Sequence, residues 1–467
     1  MKKNLFTVIV FVFLFIYNIK GQDSIPLLKG KVELSIKNGT LECDFILSNV
    51  PRINDYFIRI NSGMNILNFN NLDANALIYF DKSFNDTLST GETTAYFFPG
   101  NKGKGKFLPH SIQFKYVGKY PVVTDTLKNY SVEDWKGNIA FNGYSVRTDG
   151  RQSAWYPVLY DISKDVAYDK VKYDIEITCK DCNTLYVNGN LPVSGTKAHF
   201  KSDIPQQLTM FSGKYKVANV NGTYLLNPDI TESQIKAFAE ITNSYKKFYE
   251  DNLNIPYKQS ITYIQTTPTS KDNAWLFVSY PTIVNIGHGQ YGMKSFFDKK
   301  TAAWFKPYIA HELGHYYFGT FKVFNSELGD MMSEGFAEYL SLKVAKKLIG
   351  DSIYEKKINA KIKSLNDFTA ISFAKIKSKS DYNSRELYVY YYAPLIFLAI
   401  EKEIGEEQMW KWLHEILTTR SDFTNYSFLQ QTLSSVLQDN QKTNLIKSKY
   451  FDSARSIENA KEILQLK

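Results

Sequence analysis

At positions 311–315 the chain reads His-Glu-Leu-Gly-His, and this pentapeptide dictates more local structure than any other stretch. Two histidines four apart can reach one point only if the backbone between them is helical, because residues i and i+4 then project from the same face. Their ring nitrogens can share a single ion, and Glu312 lies beside that ion to hold and deprotonate a water. Pro307 is tolerated in a first helical turn and Gly319 is a suitable stop. A helix is therefore expected over about residues 306–318.

A catalytic zinc takes three protein ligands and keeps a fourth position open. Glu334 is the candidate third ligand. Eighteen residues separate it from His315, enough for a loop through Gly329 that leads into a second helix. In that helix Ser333-Glu334-Gly335-Phe336-Ala337-Glu338-Tyr339-Leu340 opens an apolar periodic run ending near Gly350. Two helices side by side bring Glu334 over the histidine pair, and the implied cofactor is one Zn2+ per chain. Glu338, one turn on, faces the same way and can accept the spare ring N–H of His311 or His315, fixing its tautomer.

The rest of the chain supplies two different backgrounds. From about residue 27 to 218 apolar and polar residues alternate with period two. Val32, Leu34 and Ile36 lead to Asn38-Gly39, and Leu41, Cys43, Phe45 and Leu47 return, which is a hairpin. Similar runs recur at 56–60, 112–117, 171–178 and 184–187. Near Asn227-Pro228 the period changes. Ile235, Phe238, Ile241, Tyr245 and Tyr249 share one helical face after Thr231, whose partner three residues on is Gln234. Strand-like segments follow at 260–265, 275–278 and 282–286, and helical patterns then dominate. The expected fold class is α+β with several domains: a β-rich domain over residues 22–218, then a mostly α-helical domain with a small sheet over 219–467.

Residues 1–21 place Lys2 and Lys3 before an apolar run from Leu5 to Tyr17 and the small residue Gly21, the pattern of a secretory signal peptide. Its removal takes away Lys2, Lys3 and Lys20 and lowers the formal net charge from +9 to +6. The expected location is secreted, periplasmic or in the cell envelope, with no stable membrane insertion after processing, because no second stretch of spanning length occurs. Basic residues are scattered, which gives no support to a nucleic-acid partner. Of three cysteines, Cys179 and Cys182 are placed to form a local disulfide or a pair of thiols, since a structural zinc would need two further ligands of that kind nearby. Cys43 reads as a buried free thiol. His288, in Gly287-His-Gly289, reads as an ordinary loop histidine.

His311-Glu312-x-x-His315, eighteen residues, and Glu334 within Ser-Glu-Gly-Phe-Ala together resemble the zinc signature of the aminopeptidase N family of gluzincins, which includes leukotriene A4 hydrolase. Trp155-Tyr156-Pro157 and Leu185-Tyr186-Val187-Asn188-Gly189 resemble segments of that family's saddle-like β domain. Tyr245-Lys-Lys-Phe-Tyr249 followed by Ile255-Pro256-Tyr257 resembles the start of its thermolysin-like catalytic domain. The resemblance implies a secreted zinc metallopeptidase with a peptide or protein substrate. It also implies a tyrosine that donates to the oxyanion, in a Tyr-x-Lys-Gly context after the glutamate ligand. Setting Tyr-Tyr-Ala-Pro against that context selects Tyr391, 57 residues from Glu334, with Tyr388 and Tyr392 as rivals.

Two departures qualify that expectation. The family's Gly-x-Met-Glu-Asn motif, whose glutamate binds a substrate α-amino group, corresponds here to Leu276-Phe-Val-Ser-Tyr280-Pro, which has no carboxylate. The chain ends at Lys467 without the large helical C-terminal domain usual in the family. An open cleft, endopeptidase activity or larger substrates follow as expectations, and the strand around residues 278–280 is placed to pair with an extended peptide. A non-peptide hydrolase on the same scaffold and a catalytically silent binding protein stand as the other readings. Intact Glu312 and ligands favour an enzyme.

Overall fold

The computed structural model describes residues 25–83, 93–100, 103–122, 139–258, 260–266, 275–286 and 292–466. Residues 1–21, where a signal peptide is expected, and His288 lie outside them. The chain divides into two compact units, Met1–Tyr215 and Lys216–Lys467.

Strands build the first unit. Its largest sheet runs Lys197–Gln206, Val171–Cys179, Leu27–Ser35, Thr40–Ser48, Ile112–Lys119, Met64–Asn71 and Ala76–Leu77 in spatial order. The hairpin follows directly from the alternation. Ser35 pairs with Thr40 across the turn, Gly39 takes a φ of +65° that a side chain would resist, and Val32, Leu34, Leu41, Cys43, Phe45 and Leu47 all face the core. Leu27–Ser35 also pairs in parallel with Val171–Cys179, which makes the sheet mixed. Two five-stranded sheets complete the unit among the described residues. Trp155 is fully buried, with its edge on Phe45 and its indole N–H donated to the Leu208 carbonyl at 2.8 Å, so the polar handle of a core aromatic is satisfied. Cys179 and Cys182 are joined in a disulfide and Cys43 is a buried thiol. Asp181, between the bonded cysteines, accepts from the Ser35 hydroxyl and the Ile36 and Lys37 amides.

The second unit sets a five-stranded sheet beside helices. The sheet order is Val217–Val220, Thr223–Leu226, Thr262–Thr266, Thr282–Ile286 and, at the edge, Trp275–Ser279. Helix α1 (Glu232–Leu253) starts on the reciprocal cap of Thr231 and Gln234 and buries Phe238, Thr242, Tyr245 and Tyr249. The Tyr249 hydroxyl donates to the Ala310 carbonyl at 2.8 Å, tying α1 to helix α2 (Ala302–Gly314).

Helix α2 is displaced from its expected span. It begins four residues earlier, on bonds from the Ala302 and Phe305 amides to Asp298 and Thr301, so Pro307 lies in the second turn, where its missing N–H costs one ladder bond. It ends at Gly314, and His315 is the cap. Beyond it the chain tightens into three-residue turns from Tyr316 to Leu313 and Tyr317 to Gly314. That tightening delivers the Tyr317 hydroxyl to the Ile255 carbonyl at 2.9 Å. Helix α3 (Gly329–Val344) follows and runs through a wide turn at Ala345–Ile349 to Gly350. Helices α4 (Asp351–Ser364), α5 (Ala393–Ile404) and α6 (Glu406–Thr418) then pack around it, with three shorter helices reaching Ile463.

Candidate metal centre

Close approach of α2 and α3 creates the site. A Cβ on Gly314 would lie 3.2 Å from the Ala337 Cα, so the small pair Gly314 and Ala337 lets the two backbones come together. Glu334, one turn before Ala337 on α3, is thereby carried over the histidines of α2. His311 Nε2 and His315 Nε2 are 3.1 Å apart, and Glu334 Oε2 lies 3.3 Å from the first and 3.2 Å from the second.

These distances test whether a metal fits. Ligand atoms about 2.0–2.1 Å from a tetrahedral ion are separated by about 3.3 Å, the edge of the tetrahedron. The triangle matches one face of that tetrahedron, which leaves a fourth position for water or substrate. The outer nitrogens agree: His311 Nδ1 is 3.0 Å from Glu338 Oε2 and His315 Nδ1 is 3.1 Å from the Phe318 carbonyl oxygen. With protons on both Nδ1 atoms, the Nε2 lone pairs aim at a common point. Of the two tyings to Glu338 that the sequence left open, the structure has the one to His311.

The local field calls for positive charge. Burial opposes a charged His311, yet hydrogen bonds to Glu334 and Glu338 push it up to about 10. Burial likewise favours a neutral Glu338, but Lys357 and Lys361, helped by His311, hold it well below the usual carboxylate range. Glu312 is buried, which raises its pKa against the pull of His311 and His315, and the Tyr308 hydroxyl hydrogen-bonds it. Tyr308 was not singled out from the sequence, although its position four before Glu312 on one helix face was available as a signal.

Among the clustered tyrosines the structure separates four roles. The wide turn Leu387–Tyr392 precedes α5 and points consecutive side chains in different directions. Tyr391, the expected donor, lies under Lys361, whose Nζ is 5.0 Å from its ring centre. Tyr388 donates to the Ile371 carbonyl, and Tyr392 pairs with the Ser456 hydroxyl. Tyr390, which the sequence reading passed over, is the one beside His311 and Glu334. Its ring centre is 5.8 Å from that of His311, and burial together with the charge of Glu334 holds its proton on, against an opposing hydrogen bond from Arg385. A Cβ on Gly335 would lie 2.9 Å from the Ala393 Cβ, so the two small residues let α3 approach the start of α5.

Arg385 is a second residue that pattern reading missed. It donates to both carboxylate oxygens of Asp330 at 2.7 and 2.8 Å and to Glu334 Oε1 at 3.3 Å. Glu334 therefore presents Oε2 to the histidines and has Oε1 tied back. Among the described residues one other cluster has metal-ligand chemistry, Cys179, Asp181 and Cys182, and its sulfurs are committed to the disulfide.

With fold and site in view, the chain can be set beside known proteins. No family model matches the sequence, and no curated protein matches it. Solved structures do match. An M1 zinc metallopeptidase from Deinococcus radiodurans aligns with TM-score 0.58 and 11% identity over 91% of this chain and 92% of its own. A mutant of an M1 zinc metallopeptidase from the same organism, bound to a Tyr-Ser-Ala substrate, aligns over 91% and 93% at 10% identity with the same TM-score. Native yeast LTA4 hydrolase aligns with TM-score 0.59 and 11% identity, over 91% of this chain and 66% of its own. The fold is that of the M1 zinc metallopeptidases. At this identity the likeness is one of architecture: a β-rich first unit and a helical second unit carrying the site. The M1 fold accounts for the order of the two units along the chain, while what the site does has to be argued from its own residues. No helix of the described residues is long and apolar enough to cross a membrane.

Proposed function

We propose that the chain is an exported zinc-dependent metallopeptidase that hydrolyses peptide bonds with a metal-activated water. The observation that carries this reading is the triangle of His311 Nε2, His315 Nε2 and Glu334 Oε2 with edges of 3.1–3.3 Å, set beside the buried carboxyl of Glu312. Two imidazole nitrogens and a carboxylate oxygen converging on one point are the donor set that a catalytic zinc takes.

Zinc bound there would supply Lewis-acid chemistry, polarising a carbonyl and making a water acidic. Glu312 takes the proton of that water and passes it to the leaving amine, a task that its raised pKa suits. Tyr390 donates its hydroxyl proton to the oxygen of the attacked carbonyl. Tyr308 orients Glu312, and Glu338 holds His311. The strand Trp275–Ser279 is the last of its sheet among the described residues, the position at which an extended peptide adds to a sheet, and an M1 metallopeptidase holding a Tyr-Ser-Ala substrate supports a peptide as substrate class. The sequence from Leu276 to Pro281 has no carboxylate to bind an α-amino group, so we assign cleavage that does not require a free N-terminus. The N-terminal pattern and the Cys179–Cys182 disulfide both support export to an oxidising compartment.

The test is hydrolysis of a mixed peptide library with free and acetylated N-termini by the wild type and Glu312→Gln. Cleavage of both classes by the wild type, lost by a factor of about 10²–10⁴ in the variant, is expected. Retained cleavage in Glu312→Gln removes the mechanism. Cleavage of free peptides only removes the assignment of specificity.

A further inference from the structure

We propose that Lys361, on α4, is a positioning residue that locks the metal-binding histidine and the oxyanion tyrosine into one rigid unit. The inference rests on the peptidase reading above. The Lys361 side chain is 7% exposed, and its Nζ lies 2.7 Å from Glu338 Oε1 and 2.6 Å from the Tyr390 carbonyl oxygen. A buried ammonium is held only where charge and hydrogen bonds both meet it, and here both partners lead to the site.

The first path runs through Glu338. Its Oε1 takes Lys361 and its Oε2 lies 3.0 Å from His311 Nδ1. The carboxylate is fixed at both ends, so the imidazole it holds has one orientation. Lys357, 3.2 Å from the same Oε1 and partly exposed, adds charge but gives no second tie.

The second path runs through the backbone. In an α-helix the Tyr390 carbonyl would accept from the amide four residues on, but residue 394 is proline and has no N–H. Lys361 Nζ donates to that carbonyl. It thereby fixes the turn that aims the Tyr390 ring at His311, 5.8 Å away between centres. One ammonium thus joins three elements: α3 through Glu338, α2 through Glu338 and His311, and the Leu387–Tyr392 turn. Lys361→Met breaks both ties. Lys363, exposed on the same helix, provides the matched control for charge and helix propensity.

The experiment uses the full chain, with folding checked by circular dichroism, and reads zinc release to a chelator and kcat at saturating zinc. Lys361→Met is expected to weaken zinc binding about 10- to 100-fold and to lower kcat by about the same range. In a Tyr390→Phe background the same substitution is expected to change kcat by less than about threefold, since coupled positions are not additive. Lys363→Met changes neither. If Lys361→Met does not fold, Lys361→Gln, which keeps one donor, is scored by the same criteria. Unaltered zinc affinity in a folded variant, or losses that simply multiply in the double variant, overturns the proposal. The zinc arm decides even where no peptide is turned over. A wild type that binds no zinc overturns the peptidase reading itself, so the two failures are distinguishable.

Discussion

Tyr390→Phe separates a geometric assignment from one made by pattern. The substitution removes one hydroxyl and leaves the ring packed against His311. Loss of one preorganised donor to a developing oxyanion costs about 10²–10³ in kcat, or about 2.7–4 kcal/mol in the barrier. KM should stay within about threefold, because the donor acts mainly in the transition state. The neighbours should behave differently, each for a reason visible in its contacts. Tyr391→Phe removes a hydroxyl from a ring that sits under Lys361 and should leave kcat within about threefold, as for surface changes away from the reacting atoms. Tyr388→Phe strands the Ile371 carbonyl and Tyr392→Phe strands the buried Ser456 hydroxyl. Each should lower stability by about 1–3 kcal/mol with little effect on kcat. The assay is steady-state hydrolysis of one peptide by all four variants at saturating zinc, with thermal unfolding in parallel. A 100-fold fall in Tyr391→Phe with Tyr390→Phe near wild type would refute the reasoning.

Three further outcomes follow. Arg385→Met frees Glu334 Oε1 and removes the Asp330 ion pair, so zinc affinity should fall about tenfold, and Arg385→Lys should not restore it because an ammonium lacks the planar fork that grips both Asp330 oxygens while reaching Glu334; competition titration with a chelator checks both. His311 is raised from 6.5 to about 10 in the metal-free protein, so its proton contributes stability that is full below pH 6.5 and is lost as pH rises through about 10. Zinc displaces that proton, and its affinity should rise about tenfold per pH unit between pH 7 and 9; a flat profile would sink the argument. The Cys179–Cys182 disulfide closes only a short loop, so its reduction should cost the strand unit at most about 2 kcal/mol while zinc stays bound, because both cysteines lie in the other unit; unfolding and metal analysis in reductant test this.

Much of the framework was legible because single residues carried strong local rules. Asn38-Gly39 announced its hairpin, Thr231 and Gln234 announced α1, and His311, His315 and Glu334 announced a convergence that the structure draws to within hydrogen-bonding distance. Positions set by packing were less legible. The span of α2 shifted because its start is fixed by Asp298 and Thr301 and its end by where Tyr316 and Tyr317 dock, none of which follows from periodicity. The tyrosine register was not legible because four tyrosines within five residues offer no contrast. What distinguishes Tyr390 is its place beside His311, a residue on a different element. Lys361 and Arg385 could not be singled out at all, since lysine and arginine on helices usually face water and their partners lie 23 and 51 or more residues away in the chain.

Metal analysis of the purified protein tests the central claim most directly. The account predicts one zinc per chain in the wild type, retained in Glu312→Gln and lost in Glu334→Ala, because the carboxylate supplies one corner of the ligand triangle. A wild type that takes up no stoichiometric metal, or a Glu334→Ala variant that binds zinc as tightly as the wild type, would contradict it.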